Sequence, residues 1–424
     1  MDPAGLVVIG IFVVTLLIIM TEQVNDTAAS LLGFAAAATV VYASGGADFG
    51  ALAKSMDWSV IMFVVAMMVI VSVVASSGLF QYLALIIAVR TAGNPRRIFD
   101  SFMVLVFVIS LFFDPLPTML IVSTFTVEVC NAIDVDFRPY LMTEAVIAGI
   151  GSFPTPIGSV SNLVVVYLAD INAGIMFLLL LPLAVLLTLF TVMYMRRKYS
   201  EVISDQKERD ITDLLGVNPL SMVRSKSDFI ASCIAMSILI LGLIVAPEQA
   251  SMLALLLASG LLLTSGNRAK DFLRTLSWDS IFFLVGMFGI VQALDATGVI
   301  ADLGAALVGL SEANYVVAIL VMIWVPGGLM APIDAKAVGI LVAPAVKELT
   351  AINPVIPISL VAGTNMGGYV VPFGDAPNTV VVSIAEKHCK PLSWSEFNRA
   401  VIPIGLFHLA VSTVYLSLTA LLFP

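Results

Sequence analysis

Residues 153–162 read FPTPIGSVSN in the middle of one long apolar segment, and residues 371–378 read VPFGDAPN in the middle of another. Both contain the pattern P-x-G-x-x-x-N. Proline has no N–H group and clashes with the preceding helical turn, so each pattern predicts a break in a membrane-spanning helix. Backbone groups freed inside a membrane must face protein or a polar cavity. The two breaks are therefore candidate positions for a solute site.

Both patterns belong to a longer internal repeat. Residues 58–169 recur as residues 278–385, at a shift of 220 that becomes 216 after a slip of four residues. The matches include residues that chance rarely pairs: Trp58 with Trp278, Gly78 with Gly298, Asp114 with Asp334, and Asn162 with Asn378. Paired halves with interrupted apolar segments are typical of carriers that bind their solute between the halves.

Composition places the chain in a membrane. It has 60% hydrophobic and 12% charged residues and a mean hydropathy of +1.07, which is more apolar surface than a soluble fold can bury. The run from Leu6 to Met20 is expected to be a retained first span, because Glu22 follows instead of a small-residue cleavage site. The formal charge of −9 reflects loop composition. Cys130, Cys233 and Cys389 share no metal-ligand spacing, so no metal site, disulfide or cofactor is predicted.

Apolar segments long enough to cross a bilayer predict five spans in each half. They lie near residues 6–20, 27–43, 58–76, 140–170 and 174–195, and near 228–246, 249–265, 278–296, 355–385 and 400–423. An amphipathic arm and two apolar stretches follow the third span of each half; the arms are Leu79–Arg90 and Val299–Leu310. The stretches 98–113 and 118–130 are too short to cross, so a re-entrant hairpin is expected. The predicted fold class is an all-α polytopic membrane protein with two inverted five-span repeats, each with a re-entrant hairpin and a broken helix.

Domain boundaries follow from this pattern. The first repeat is assigned to residues 1–199, with its hairpin at 98–131 and its break at 154–162. A polar cytoplasmic linker is assigned to 200–227. The second repeat is assigned to 228–424, with its hairpin at 313–350 and its break at 371–378.

The distribution of basic residues predicts the orientation. An odd number of spans per half inverts the second repeat and gives cytoplasmic segments at 21–27, 90–97, 131–139, 196–227, 266–277 and 386–399. These segments hold every Lys and Arg except Lys54, Lys336 and Lys347. The positive-inside rule therefore predicts a protein of the cell (plasma) membrane with both termini outside.

Ionisable residues at membrane depth are the first site candidates. Asp114 and the pair Asp334 and Lys336 lie at the two hairpin tips, and Asp375 lies at the second break. Each costs about 2.5–3.5 kcal/mol to insert, and such residues usually line ion paths. Lys336 is expected to act as a built-in cation beside a carboxylate, with snorkelling to the outer surface as the alternative.

Several motifs together carry a family resemblance. They are Trp-x-x-Ile at the start of spans three and eight, Asp-x-x-Pro-Thr at 114–118, and Thr-Pro-Ile-Gly at 155–158. In this combination the chain resembles the ion transporter superfamily. It is most similar to arsenite permeases and the sodium/proton antiporters grouped with them, with citrate and divalent-anion carriers further off. The resemblance implies opposed hairpins, a homodimer, and an elevator-type movement of a transport domain against a scaffold.

The resemblance also implies a site for substrate and coupling ion between the hairpin tips and the broken helices. The candidate residues are Asp114, Pro117, Thr118, Thr155, Pro156, Gly158, Ser161, Asn162, Asp334, Lys336, Asn365, Gly374, Asp375 and Asn378. Asn162 and Asn378 are expected to orient both backbone and ligand at the breaks.

Charge bears on the choice of solute. Three Asp residues against Lys336 leave a net charge of −2 at the candidate site, and the opposite helix ends at the breaks are expected to cancel. A citrate-like trianion would be repelled unless cations accompanied it, whereas a proton, a sodium ion or a neutral oxyacid such as arsenite would not. The chain is therefore predicted to be a proton- or sodium-coupled secondary transporter of a small inorganic solute, of arsenite or oxyanion type.

Other functions remain open at this point. A sodium/proton antiporter and a di- or tricarboxylate carrier of citrate type share the predicted fold, and a channel is separated from a carrier only by saturable, gradient-driven flux. An intramembrane aspartyl protease, suggested by Gly374-Asp375, lacks a Tyr-Asp pair, and no enzymatic activity is predicted. The expected partners are the solute, the lipid bilayer and a second copy of the chain, with no nucleic acid; the coupling ion is H⁺ or Na⁺.

Overall fold

A computed structural model describes residues 3–20, 23–91, 93–203, 225–245, 249–329, 335–370 and 375–423. Within these residues the secondary structure is helical, with no β-strand. The helices of the first half are α1 (Pro3–Met20), α2 (Asp26–Ala43), α3 (Phe49–Ser55), α4 (Trp58–Ser76), α5 (Leu79–Arg90), α6 (Pro95–Ser110), α7 (Pro115–Ala132), α8 (Arg138–Ser152), α9 (Val160–Leu168) and α10 (Ala173–Lys198).

The second half has the same helix order. Its helices are α11 (Lys226–Val245), α12 (Ala250–Ser265), α13 (Ala269–Arg274), α14 (Trp278–Ala296), α15 (Val299–Ala313), α16 (Tyr315–Trp324), α17 (Ala335–Val342), α18 (Leu349–Ile352), α19 (Val355–Val370), α20 (Ala376–Lys387) and α21 (Trp394–Ala420). The third and eighth spans, α4 and α14, begin and end where hydropathy places them. The tenth span begins at Trp394, six residues before its predicted start, because Ser393 caps the helix through the amide of Glu396.

Six segments of the described chain are long and apolar enough to cross a membrane: Asp26–Ala43, Trp58–Ser76, Ala173–Lys198, Ala250–Arg274, Trp278–Ala296 and Trp394–Ala420. Three further apolar helices are shorter: Pro3–Ile19, Tyr315–Leu329 and Val355–Val370. The fourth span consists of α8 and α9 with a 3₁₀ turn, Pro156–Gly158, between them. The ninth consists of α19 and α20, and residues 371–374 between these helices are outside the described part. The broken helix is thus present in both repeats.

The first hairpin consists of α6 and α7, which have 16 and 18 residues. At 1.5 Å per residue these arms are about 24 and 27 Å long, short of a bilayer core. Pro115 is the first residue of α7, a position where the backbone N–H has no helical partner and its absence therefore costs nothing. The proline thus favours the start of the second arm at this point. In the second repeat α16 continues as a π-helical turn, Val325–Leu329, and the return arm begins at Ala335.

In each repeat a glycine joins the third span to the arm helix that follows it. Gly78 and Gly298 have φ of +88° and +77°, a left-handed conformation that favours glycine. Each stands directly before the arm helix, α5 or α15. The conformation ends one helix and starts the next in a new direction, which accounts for the matched glycines of the repeat.

The two repeats pack crosswise: a helix of one repeat contacts a helix of the other, and the repeat counterparts of these two helices form the equivalent contact. Helix α2 packs along α14, and its repeat counterpart α12 packs along α4. The hairpin arm α7 packs on α20, and in the counterpart pair α17 packs on α9. Exchanging the two repeats therefore reproduces the same contacts, as a pseudo-two-fold relation between inverted repeats requires.

Close contact between α2 and α14 depends on small residues. A Cβ atom on Gly286 would lie 2.5 Å from Ser30 Oγ and 2.6 Å from the Ser30 carbonyl carbon. A Cβ on Gly289 would meet the ring of Phe34, and one on Gly33 would lie 2.9 Å from Ile290 Cδ1. Small residues at such interfaces let membrane helices approach closely.

We therefore expect Gly286→Ala to destabilise the protein by about 1–3 kcal/mol, because the added methyl group overpacks the α2–α14 contact. Gly260→Ala on α12 is the matched control, since no heavy atom lies within 4 Å of its Cβ position. That control should be neutral or slightly stabilising, because Ala has the higher helix propensity. Thermal melting of the two purified variants measures the difference. Equal melting temperatures would contradict this account of the interface.

Candidate functional site

A cavity of about 900 Å³ lies where the first hairpin tip, both breaks and the spans α4 and α14 meet. Five predicted site residues line it: Asp114, Pro117, Pro156, Ser161 and Asp375. Six others are buried in the protein: Thr118, Thr155, Gly158, Asn162, Asn365 and Asn378. Asp334 and Gly374 lie outside the described residues. The backbone of Lys336 is in the first turn of α17, and its side chain is outside the described part.

Three helix N-termini of the first hairpin and the two breaks contribute to the cavity lining, in addition to those of α2 and α14. Asp114 caps α7, accepting a hydrogen bond from the Leu116 amide at 3.1 Å. Its second oxygen, Oδ2, lies 3.5 Å from the amide nitrogen of Val160, in the first turn of α9. Asp375 caps α20 through the Ala376 amide at 3.0 Å. Each positive helix end therefore faces a carboxylate of the protein itself.

The two breaks use different carboxylates for the same task. Val160 and Ala376 are repeat counterparts, and so are Ser159 and Asp375, which precede them. In the second repeat the carboxylate stands directly before the helix, whereas in the first it comes from Asp114 on the hairpin. Ser159 instead shares a hydrogen bond with Ser161, with 2.9 Å between their hydroxyl oxygens.

The charge of the lining differs from the sequence expectation in one respect. The helix ends at the breaks were expected to cancel, but the described lining includes no residue of α8 or α19, whose C-termini meet the breaks. Of the helices at the breaks, only α9 and α20 contribute described lining residues, because each first half-helix is buried in the bundle. The charged side chains of the described lining are Asp26, Asp114, Asp271, Asp279 and Asp375.

Asn162 closes the first break. Its Nδ2 donates to the carbonyl of Ser152 at 2.8 Å and to that of Thr155 at 3.3 Å. Its Oδ1 accepts from Asn365 Nδ2 at 2.5 Å. These carbonyls lie at the end of α8 and just beyond it, where helical partners are missing. The amide therefore bonds the backbone and a second helix, and none of its observed contacts needs a ligand.

Asn378 has the same role in the second break. Its Nδ2 donates to the Gly368 carbonyl at 2.9 Å, ten residues earlier, as Asn162 does to Ser152. The identical spacing accounts for the pattern with Asn at its end. The predicted orientation of the backbone agrees with these contacts, and orientation of a ligand stays a prediction.

Thr155 and Gly158 join the first break to the hairpin. The Thr155 hydroxyl donates to the Leu111 carbonyl at the end of α6 and accepts from the Gly158 amide, the latter at 3.0 Å. A Cβ on Gly158 would overlap the Ser152 carbonyl oxygen. Only glycine permits this close approach. Thr118, on the other hairpin arm, donates to the Asp114 carbonyl at 3.0 Å.

Comparison with known proteins assigns the chain to a family. The family model described as "Citrate transporter" (CitMHS) matches residues 16–356. The chain belongs to the citrate transporter family CitMHS. It is a secondary transporter of the ion transporter superfamily, as the motifs predicted, although neither the family model nor the fold identifies its solute. Membership favours a transporter over an intramembrane protease.

The chain also matches relatives over nearly their full length. An uncharacterized transporter of Mycobacterium tuberculosis is 28% identical over 422 residues, covering 97% of this chain and 98% of the relative. The 46 kDa membrane protein of Mycobacterium leprae is 26% identical, with 97% and 98% covered. Among solved structures, the Alcanivorax borkumensis YdaH transporter matches with a TM-score of 0.60 and 14% identity over 84% of each chain, which shows a shared fold.

The sequence analysis did not single out Glu144 and His408. Glu144 lies inside the predicted fourth span, and a carboxylate there is itself a signal for function in a membrane transporter. His408 lies inside the predicted tenth span, with its ring nitrogens 3.2 Å from Thr191 Oγ1 and 3.1 Å from Tyr369 Oη. Both side chains are fully buried.

We expect Asn162→Ala and Asn378→Ala each to abolish transport while the protein still folds. Loss of the amide leaves buried carbonyls unpaired, at a cost of about 1–3 kcal/mol, and releases the break from its fixed geometry. Asn131→Ala, at the exposed end of α7, is the matched control and should transport normally. Solute flux into proteoliposomes, with melting temperature as the folding check, tests this. Normal flux in both site variants would show that the amides are dispensable.

Proposed function

We propose that this protein is a proton- or sodium-coupled transporter of a small inorganic solute, of arsenite or oxyanion type. The observation that carries the proposal is that helix N-termini around the cavity are already in contact with carboxylates of the protein. Such ends normally attract an anion. Here the ends of α7 and α20 are already capped by Asp114 and Asp375, and Asp114 also approaches the end of α9.

An additional anion would meet these carboxylates before it met a free helix end. A neutral oxyacid would not be repelled, and its O–H groups would donate hydrogen bonds to the carboxylate oxygens. A proton or a sodium ion would be attracted by the same oxygens. Coupling ion and solute would thus share one acidic cavity, and protonation of a carboxylate would change the affinity for the other ligand.

Two other transport functions are each supported by a specific observation. Sodium/proton antiport needs only the carboxylates, whose oxygens suit both ions. Transport of a di- or tricarboxylate is favoured by the description of the family model. In this cavity such an anion would have to enter with cations, because Asp26, Asp271 and Asp279 add to the negative charge of the lining.

The position of the cavity supports an elevator-type movement. The cavity lies between spans α4 and α14 on one side and the first hairpin and both breaks on the other. We propose that the hairpins and broken helices move together against the remaining spans, in a homodimer of the plasma membrane with both termini outside.

A flux panel in proteoliposomes tests the proposed solute class. We expect arsenite or sodium flux that saturates and responds to an imposed pH or sodium gradient, with citrate carried only when a cation is supplied. Asp114→Asn and Asp375→Asn should lower flux by about tenfold or more, the equivalent of one lost charge-assisted hydrogen bond. Asp170→Asn, at an exposed position, is the control. Gradient-driven citrate uptake without a cation would overturn the proposed solute class.

Labelling of single cysteines tests the proposed movement. Pro117→Cys and Ala335→Cys, each in a background without Cys130, Cys233 and Cys389, place a thiol at either hairpin tip. Under alternating access each tip should react with a membrane-impermeant reagent from opposite sides when the solute gradient is reversed. Reaction from one side only, whatever the gradient, would indicate a static pore.

A further inference from the structure

Glu144 is a buried carboxyl group outside the cavity. It lies in the middle of α8 with none of its surface exposed. Its Oε1 is hydrogen-bonded to Thr126 Oγ1 at 2.5 Å, and its Oε2 to Ser123 Oγ at 3.4 Å. Both hydroxyls belong to α7, the second arm of the first hairpin. The carboxyl group therefore joins a hairpin arm to a broken helix.

No cation balances this carboxyl group in the described part of the chain. Two carboxyl side chains there are buried, Glu144 and Asp228, and Asp228 forms an ion pair with Arg268. Among the residues that the structure describes, the hydrogen-bond partners of Glu144 are the two neutral hydroxyls. An ionised carboxylate in such surroundings carries a large desolvation cost, so the group holds a proton in this conformation and donates it in one of the two hydrogen bonds to the hydroxyls of α7.

Repeat symmetry shows that the fold does not need an acid here. The counterpart of Glu144 at the shift of 216 is Leu360, which is buried in α19. A leucine thus fills the equivalent place in the second repeat. The acid is a feature of one repeat only, as expected of a residue retained for chemistry and not for packing.

Hydroxyl groups lie between Glu144 and the cavity. Thr118, Ser123 and Thr126 are all buried on α7. Thr118 is bonded to the carbonyl of Asp114, which lines the cavity. From Thr118 to Thr126 the helix rises about 12 Å, so polar groups recur along the arm from the hairpin tip to Glu144.

We propose that Glu144 binds the coupling proton, at a position separate from the carboxylates of the cavity. This rests on the proposed function, and specifically on proton coupling. With α7 packed as observed, the proton stays on the carboxyl group. A shift of the hairpin arm that admits water to the α7–α8 contact stabilises the carboxylate and releases the proton to that water. Movement of the hairpin and proton release are thereby linked.

The neighbouring helices carry other ionisable groups besides Glu144. On α7, Cys130 is close enough to interact electrostatically with it. The other ionisable side chains on helices packed against α8 are Arg96, Arg97 and Asp100 of α6, Glu128 of α7, Tyr194, Arg196, Arg197 and Lys198 of α10, Tyr369 of α19, Glu386 and Lys387 of α20, and Glu396, Arg399, His408 and Tyr415 of α21. None of them is a hydrogen-bond partner of Glu144.

Glu144→Gln in proteoliposomes tests the proposal. The readout is the ratio of solute flux with and without an imposed pH gradient, in which differences in reconstituted amount cancel. We expect the ratio to exceed one in the wild type and to fall to one in Glu144→Gln. Glu128→Gln, an exposed glutamate on α7, should keep the wild-type ratio. A wild-type ratio in Glu144→Gln would overturn the proposal and leave proton-coupled transport standing.

A wild-type ratio of one would overturn proton coupling itself, and this inference with it. If Glu144→Gln shows no flux under either condition, Thr126→Val decides. That variant removes one donor to the carboxylate and keeps the shape of the side chain. The pH of half-maximal flux should then move upward by about one unit, because the ionised form loses a hydrogen bond. An unchanged pH profile would overturn the proposal.

Discussion

The structure depends on how the backbone is satisfied where two spans stop being helical inside the membrane. A carbonyl freed at that depth has no water to bond unless a cavity supplies it, so the protein must provide a donor. Asn162 and Asn378 do this at the same spacing, each bonding a carbonyl ten residues earlier. Because the carbonyls at the ends of α8 and α19 are hydrogen-bonded in this way, the chain can begin a new helix, α9 or α20, with its N-terminus at the cavity. The direction of these helix ends then determines the electrostatics of the site.

Features that occur in both repeats serve the backbone geometry, whereas residues that occur in only one repeat are candidates for chemistry. The left-handed glycines, the closing asparagines and the crosswise packing occur in both halves, and each solves a problem of backbone geometry. The carboxylate of Asp375 does not follow this rule: its counterpart is Ser159, and Asp114, which is matched by Asp334, supplies the missing contact from the hairpin. Glu144, opposite Leu360, departs from the repeat in the same manner. Residues that depart from the repeat in this way are not required by the backbone geometry that the two halves share.

Much of the fold was predictable because its causes are local. Apolar length places α4 and α14, proline with glycine marks both breaks, and Pro115 with Pro117 marks the first hairpin tip. The site was less predictable. That Asn365 bonds Asn162, or that Asp114 reaches Val160, depends on helices that only the tertiary fold brings together. Which end of each broken helix lines the cavity depends on burial, which the sequence does not show.

Burial, more than charge, holds the hairpins and broken helices together. The guanidinium group of Arg138, at the start of α8, lies 3.5 Å from the carboxylate of Glu396 on α21 and 2.7 Å from that of Asp136. Burial would raise the pKa of the Asp136 carboxyl, but the hydrogen bonds and charge of Arg138 hold it below its usual value. Such partly exposed pairs contribute about 1 kcal/mol at most, whereas α8 from Pro139 onward and the whole of α19 are buried. A group of helices packed in this way can move as a unit, and the turns at Gly78 and Gly298 are the places where the chain can change direction without disturbing that packing.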